Sequence, residues 1–368
     1  ILKASMPDVR PFATLLRGVY FESQVHVTVT LMRTGLTVSA EAASGSVTGT
    51  AYVFPRIFEE YAFRPEQDDT ALRDGDGEDE DAESETTVVF KVRLSTVLEC
   101  LDIFGTASGV PPPPSHKRWR KLDRGDSDPE DEATRRRKVG KGLRHYLGGE
   151  KRTSMRMSYQ GTGYPLTMLL AEDASGPITT CEITTFEADD CLVLPFEDEA
   201  TDFEGKWLGV FSYDTSDRNV QSSWLADALS EVDSTCKIIT FISGPPATDT
   251  NGPQRTSASL LKLEATGNQG SIELEYPNDR EVLETFECNA DVNFKQVFSP
   301  SRPYAFFSIA YTMKALQSST KTSLRITDDG LLSMQFLMPS RTAKGGQSEA
   351  FVEFRVRGSR CLPFIHGS

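Results

Sequence analysis

The chain has little of what most catalytic sites are made from. It holds four histidines, six cysteines and three tryptophans in 368 residues. His26, His116, His145 and His366 show no i, i+4 pairing, so a metal site has no support. Cys100, Cys181, Cys191, Cys236, Cys288 and Cys361 are widely spaced and form no Cys-x-x-Cys pair. With no secretory leader in view, they read as reduced thiols and not as a disulfide framework. No apolar run approaches the roughly 20 residues of a bilayer span, so no membrane helix is expected. No charged stretch followed by an apolar core marks a signal peptide. Gly-x-x-x-x-Gly-Lys is absent, which argues against a phosphate-loop ATPase. Gly-x-Ser-x-Gly is absent too, and Cys and His are not arranged for nucleophilic work. No cofactor and no enzymatic activity are expected.

What is present is charge, unevenly spread. The net charge is −15. Glu66–Glu85 holds eleven acids and one Arg, whereas Lys117–Arg156 holds fourteen basic residues against seven acids. The acidic total argues against a protein that coats nucleic acid, but binding follows the local field and not the sum. Apolar residues make up 38%, somewhat low for a compact chain, which suggests disordered insertions. Two are expected, at 66–85 and 108–151. The first is acidic and low in complexity; its acids do not fit the spacing of a calcium loop. The second joins four prolines (Pro111–Pro114) to the basic clusters Lys117–Lys121 and Arg135–Lys138. Those clusters suit nuclear import or phosphate contact, and equally a solvated loop.

The organising stretch is Met155–Phe196. Met155–Tyr159, Leu166–Leu170 and Ile178–Ile183 read as a three-strand meander, turned at Gly161 and Gly163. An acidic linker with an apolar centre, Leu192–Leu194, follows. Before the meander, Pro7–Tyr20 reads as a helix with Phe12, Leu15, Leu16 and Val19 on one face. Gln24–Leu31, Gly35–Ala40 and Thr48–Phe54 alternate as antiparallel strands. Thr86–Arg93 is a further strand, and Leu94–Phe104 a helix that Gly105 is placed to end. After the linker come a strand at Trp207–Tyr213 and a helix at Ser222–Val232, with Trp224, Leu225, Ala228, Leu229 and Val232 as its apolar stripe. Strand-like segments follow at Lys237–Ser243, Ser259–Ala265, Gly270–Leu274, Val282–Cys288 and Phe294–Ser299. Pro303–Leu316 is a fourth helix. Lys321–Thr327, Leu331–Met338 and Ala350–Val356 close a second meander, with Asp329–Gly330 a strong hairpin signal.

The two halves therefore repeat one order: helix, strands, helix, three-strand meander. A duplicated α+β unit is the economical interpretation. The expected units are 1–184 and 201–368, joined by a linker at 185–200.

Several segments carry a family resemblance: Arg33–Ala40 with Ala51–Phe63, Leu94–Gly105, MSYQGTGYP at Met157–Pro165 within Met155–Phe196, Cys181–Thr184, Ala228–Asp233, SIELEYP within Gly267–Pro277, Asp329–Gln335, and FVEFR at Phe351–Arg355. They span nearly the whole chain apart from the two insertions. The chain resembles a fungal version of the Rad-one-type subunit of the nine-one-one DNA-damage checkpoint clamp, a relative of the replication clamp PCNA. The resemblance implies an α+β DNA-clamp fold of two similar domains, helices lining a central hole and antiparallel sheets outside. It implies a nuclear, non-catalytic subunit of a heterotrimeric ring, with two other clamp subunits, sequence-independent double-stranded DNA, a clamp loader, and checkpoint and repair proteins as partners, and no membrane. Arg10 and Arg17 on the first helix and Lys314 on the fourth are the DNA-facing candidates, with Lys91 and Arg93 beside the second helix as weaker ones. Taken alone, the pair Arg10 and Arg17 reads better as an ordinary solvated helix face. The linker residues Cys191, Leu192, Val193 and Leu194 are candidates for docking client peptides. Subunit junctions are expected around Ser39–Ala51 and Lys237–Ser243. The rival reading is a metal-dependent 3′–5′ DNA exonuclease. It needs two or more acids fixed around metal ions, and the densest acids sit in a loop that cannot hold them rigidly.

Overall fold

The computed structural model describes residues 1–21, 25–42, 45–65, 87–107, 152–172, 176–188, 194, 207–211, 223–232, 236–243, 261–268, 270–276, 292–297, 308–327, 330–341 and 347–358. Both expected insertions lie outside these residues. So do the segment 282–288 and the linker residues Cys191, Leu192 and Val193.

The first half runs β1 (Leu2–Met6), α1 (Arg10–Gly18), β2 (Val27–Met32), β3 (Gly35–Glu41), β4 (Val47–Val53), a 3₁₀ turn at Pro55–Ile57, β5 (Glu60–Phe63), β6 (Val88–Val92), α2 (Leu94–Leu101), β7 (Ser154–Tyr159), β8 (Leu166–Ala171) and β9 (Ile178–Ile183). A two-residue strand, β10 (Thr185–Phe186), leads out of it. The second half runs β11 (Trp207–Phe211), α3 (Ser223–Ser230), β12 (Cys236–Ser243), β13 (Leu261–Gly267), β14 (Ser271–Tyr276), β15 (Val292–Val297), a 3₁₀ turn at Ser308–Thr312, α4 (Met313–Ser318), β16 (Lys321–Ile326), β17 (Leu331–Arg341) and β18 (Gln347–Arg357).

Among the described residues all the strand pairs are antiparallel, and they build three sheets. One is β5-β1-β7-β8-β9, and another is β14-β13-β12-β15. The third has nine strands, in the order β10-β6-β2-β3-β4-β18-β17-β16-β11. The internal repeat is visible in the pairing itself. β1-β7-β8-β9 has its counterpart in β11-β16-β17-β18, and β6-β2-β3-β4 in β15-β12-β13-β14. The nine-stranded sheet joins the halves through a single seam, β4 against β18.

Period-two alternation decides which face of each sheet is buried. On the nine-stranded sheet Val29, Leu31, Val38, Ala51, Val352, Phe354, Met334 and Phe336 turn inward and are buried. The helices cover that inner layer: α1 packs against α2 and α4, and α4 against α3. Gly18 lets α1 approach closely, because a Cβ there would lie 3.3 Å from Val352 Cγ2. At the β2–β3 turn Gly35 has φ +140°, and a Cβ would meet the Val53 carbonyl oxygen at 2.4 Å, so no other residue fits.

The helices are shorter than their sequence signals. α1 starts at Arg10, not Pro7, because Asp8 accepts the Arg10 backbone N–H at 3.0 Å and Pro11 takes the first turn. Of the fourth expected helix, 303–307 lie outside the described residues, Ser308–Thr312 is 3₁₀ and Met313–Ser318 is α-helical. Trp224 is not in the apolar stripe of α3: it is 51% exposed, while Leu225, Ala228 and Leu229 are buried. Both expected junction strands are interior. β4 lies between β3 and β18, and β12 between β13 and β15.

Candidate nucleic-acid surface and partner-strand edges

Three features of this architecture bear on function: the exposed side of the helix row, the seam with its linker, and the strands at the ends of the sheets.

The helix row carries few cations. Phe12, Ala13, Leu15 and Leu16 bury one side of α1, which leaves Arg10, Thr14 and Arg17 toward solvent. Arg10 is held by Asp8 through a 2.6 Å ion pair, both side chains about one quarter exposed or less. Burial alone would raise the Asp8 carboxyl. The Arg10 hydrogen bonds and charge outweigh it and leave the group below its ordinary value. Arg17 donates to the Ala107 carbonyl at 2.7 Å, tying α1 to the segment after α2. Lys314 is exposed on α4, its Nζ 5.5 Å from the centre of the Tyr20 ring. α2 and α3 contain no Lys or Arg. The structure thus brings Arg10, Arg17 and Lys314 to adjoining helices. Arg93 is exposed at the start of α2. Lys91 lies elsewhere: its neighbours Phe90 and Val92 are buried inward, so alternation turns Lys91 to the sheet face away from the helices.

That outer face holds a polar cluster the sequence reading missed. Glu353 on β18 is 3% exposed. Ser333 donates to its Oε1 at 2.7 Å and Gln335 at 3.4 Å. Tyr52, across the seam on β4, donates to Oε2 at 3.0 Å. Arg355 also donates to Oε2, at 3.2 Å, and its other terminal nitrogen donates to the Leu194 carbonyl at 3.0 Å. Burial alone would push the Glu353 carboxyl up; the Arg355 charge and these hydrogen bonds overcome it and hold the carboxyl below its ordinary value. The cluster fastens the linker to the seam. Leu194, expected on a docking surface, has its side chain buried. The available signal was an acid inside the apolar run FVEFR, which by itself names no partner.

Among the described residues the three sheets end in β5, β9, β10, β11, β14 and β15, and two of these ends bear on assembly. β9 ends the five-stranded sheet and β14 ends the four-stranded one. Their burial alternates in step, with Ile178, Thr180 and Glu182 exposed on β9 and Ser271, Glu273 and Glu275 exposed on β14. They are the counterparts, in the other half, of the two strands that meet at the seam. β9 corresponds to β18, and β14 to β4. Beneath β9, the thiols of Cys181 and Cys100 lie side by side, and burial pushes Cys100 up to about 12. Among the described residues no group of three or more His, Cys, Asp or Glu is gathered as a metal site.

Comparison with known proteins fits this arrangement. A family model described as "Repair protein Rad1/Rec1/Rad17" matches residues 1–338. The human "Cell cycle checkpoint protein RAD1" is 26% identical over 337 residues, covering 92% of this chain and 86% of the relative. The "DNA damage checkpoint control protein rad1" of Schizosaccharomyces pombe is 28% identical over 185 residues, 50% of this chain and 47% of the relative. The "DNA repair exonuclease REC1" of Mycosarcoma maydis is 27% identical over 439 aligned positions, 94% of this chain and 89% of the relative. That last name corrects the expectation that the chain is no enzyme, because a relative of equal similarity is called an exonuclease.

Proposed function

The chain belongs to the Rad1/Rec1/Rad17 family of repair proteins, and from that membership we infer that it is a subunit of a DNA-damage checkpoint clamp. It acts in the DNA damage checkpoint and in repair, a nuclear role. In this reading two similar domains, 1–184 and 201–368 with the linker 185–200 between them, form one segment of a ring. Two further clamp subunits complete it around double-stranded DNA.

The observation that carries this reading is the pair of open edges. An unpaired edge exposes a row of backbone donors and acceptors and favours strand addition. The chain makes one such junction internally, β4 with β18, and presents the corresponding strands β14 and β9 uncovered. A neighbour at each edge repeats the seam between subunits. The helix row then faces the hole.

A ring that slides needs no base readout. Phosphate attraction keeps it centred and lets it move. Arg17, Lys314 and Arg93 are the cations best placed for that role. Arg10 contributes less, because its charge is largely answered by Asp8. A clamp loader opens and closes the ring, and the linker around Cys191–Val193, ahead of the buried Leu194, receives checkpoint and repair proteins.

The test is assembly. The chain is co-expressed with two other clamp-like subunits of its source organism, and the product is measured by size exclusion with light scattering. A one-to-one-to-one complex is expected. A homotrimer, or a chain that takes up neither subunit, refutes the reading. The exonuclease name of the Mycosarcoma relative supports nuclease activity as a second reading. Release of label from 3′-labelled DNA with magnesium or manganese measures it, and loss of that release on substituting one internal Asp would assign it to this chain.

A further inference from the structure

Resting on the ring reading, the seam supplies a register for the open edges. At the seam Glu353 faces Thr50, Phe351 faces Tyr52 and Arg355 faces Thr48. Val356 faces Leu332 as Ile183 faces Leu166, so β18 and β9 superpose at those residues. Val53 faces Leu36 as Tyr276 faces Leu261, which aligns β4 with β14. A strand added to β14 in the manner of the seam therefore places one residue opposite Glu273 and another, two positions away on the same face, opposite Glu275.

The charge around those two positions is acidic. Glu273 also stands directly opposite Glu264 on β13. Lys262 bridges the two carboxylates, at 2.8 Å from Glu264 and 2.7 Å from Glu273, and is itself the residue opposite Glu275. One cation is thus bonded to two acids and stands opposite a third. β14 carries no Lys or Arg, and neither does β9. If a second copy of this chain offered β9, Thr180 would face Glu273 and Ile178 would face Glu275. Glu182 would fall opposite Ser271 and diagonal to Glu273. The copy's β9 brings no cation and one further acid, its nearest cation in that row being Arg156 two strands inward on β7, while an uncharged side chain covers each exposed carboxylate.

We propose that β14 selects a partner strand carrying Lys or Arg at the two alternate positions opposite Glu273 and Glu275, and thereby excludes a second copy of this chain. The main-chain hydrogen bonds are the same for any strand, so they supply affinity without choice. Choice comes from the cross-strand pairs, where opposite charges stabilise and uncompensated acids do not. The apolar positions of the edge, Ile272 and Leu274, are half-buried and receive the partner's inward side chains.

The experiment has two arms. In the first, the chain alone is studied by sedimentation equilibrium. The wild type is expected to be monomeric. The I178K/T180K variant supplies two cations on β9 and is expected to self-associate about tenfold more tightly than the wild type at low salt. High salt, or the added pair E273K/E275K, should abolish the gain. A wild type that self-associates as strongly as the lysine variant, or a lysine variant that gains nothing, overturns the proposal. In the second arm, E273K/E275K and the milder E273Q/E275Q are placed in the co-expressed assembly. The lysine pair is expected to lose one neighbour and keep the one held through β9, with the glutamine pair intermediate. Retention of both neighbours by both variants overturns charge selection and leaves the ring standing. Failure of the wild type to take up either subunit is instead a failure of the ring reading.

Discussion

Gly49 offers the sharpest test of how the two halves are joined. It sits on β4 directly opposite Phe354 on β18, with the Phe354 ring packed over it. A Cβ at this position would lie 2.9 Å from Phe354 Cε1 and 3.1 Å from Phe21 Cζ. Neither ring has room to retreat. Phe354 is fully buried, with its centroid 5.8 Å from Phe336 and 6.1 Å from Phe21, and Phe21 lies 4.8 Å from Tyr311. Overpacking of this kind costs about 1–3 kcal/mol. Replacing a strand glycine returns roughly 0.5–1 kcal/mol through the unfolded chain. The net for Gly49→Ala is a loss of about 1–2 kcal/mol, which lowers Tm by roughly 2–6 °C in a protein of a few hundred residues. Calorimetry of the whole chain reads this directly. A double-mutant cycle then isolates the cause. Phe354→Leu removes the ring edge, so Gly49→Ala should cost at least about 1 kcal/mol less in that background. An unchanged Tm for Gly49→Ala, or strictly additive costs in the cycle, would refute the steric account of the seam.

Three other outcomes are expected. Glu353→Gln removes a carboxylate whose folded pKa is depressed; the stabilisation it supplies is present above the unfolded carboxylate pKa and is lost as pH falls through the lower folded value. The variant should therefore be about 2 kcal/mol less stable at neutral pH, from the loss of charge-assisted hydrogen bonds. It should converge with the wild type in acid, as pH-dependent thermal melts would show. Arg17→Glu with Lys314→Glu should shorten retention of the assembled ring on circular DNA and reduce the salt slope by roughly one per lost phosphate contact; equal retention at every salt concentration would remove both residues from the DNA-facing set. Cys100, pushed up to about 12 by burial beside Cys181, should alkylate at pH 8 on the order of a thousandfold more slowly than an ordinary thiol, and mass spectrometry after timed iodoacetamide treatment would show labelling at the ordinary rate only in denaturant.

Local pattern made much of the architecture legible. Alternation in TVSA and TGTAYV is enough to mark β3 and β4, because one face of each is buried and the other is polar. The Asp-Gly before Leu331 marks the β16–β17 turn, and helix–strand order alone exposes the repeat. What alternation cannot report is which strand lies beside which. Ser39–Ala51 and Lys237–Ser243 read as plausible junctions, yet β4 is covered by a strand some 300 residues away and β12 is enclosed by its own neighbours. β9 and β14 have the same local texture as interior strands, so only the assembled sheets reveal them as open. The site was legible to a similar depth. Arg17 and Lys314 could be placed on helices from spacing, but the restraint of Arg10 by Asp8 depends on where α1 starts. The tie at the Leu194 carbonyl comes from Arg355, which lies far along the chain.

The hydroxyl of Tyr52 reaches a carboxylate 301 positions further on. At about 5–20 residues per second of synthesis, roughly 15–60 s separate the emergence of β4 from the ribosome and the arrival of the strand that seals it. Throughout that interval the nascent polypeptide displays a naked ladder of amides and carbonyls. β18 is the zip fastener of the whole molecule. A message truncated ahead of β18 would release a product whose β4 stays permanently unsealed, a ready target for chaperones and proteases.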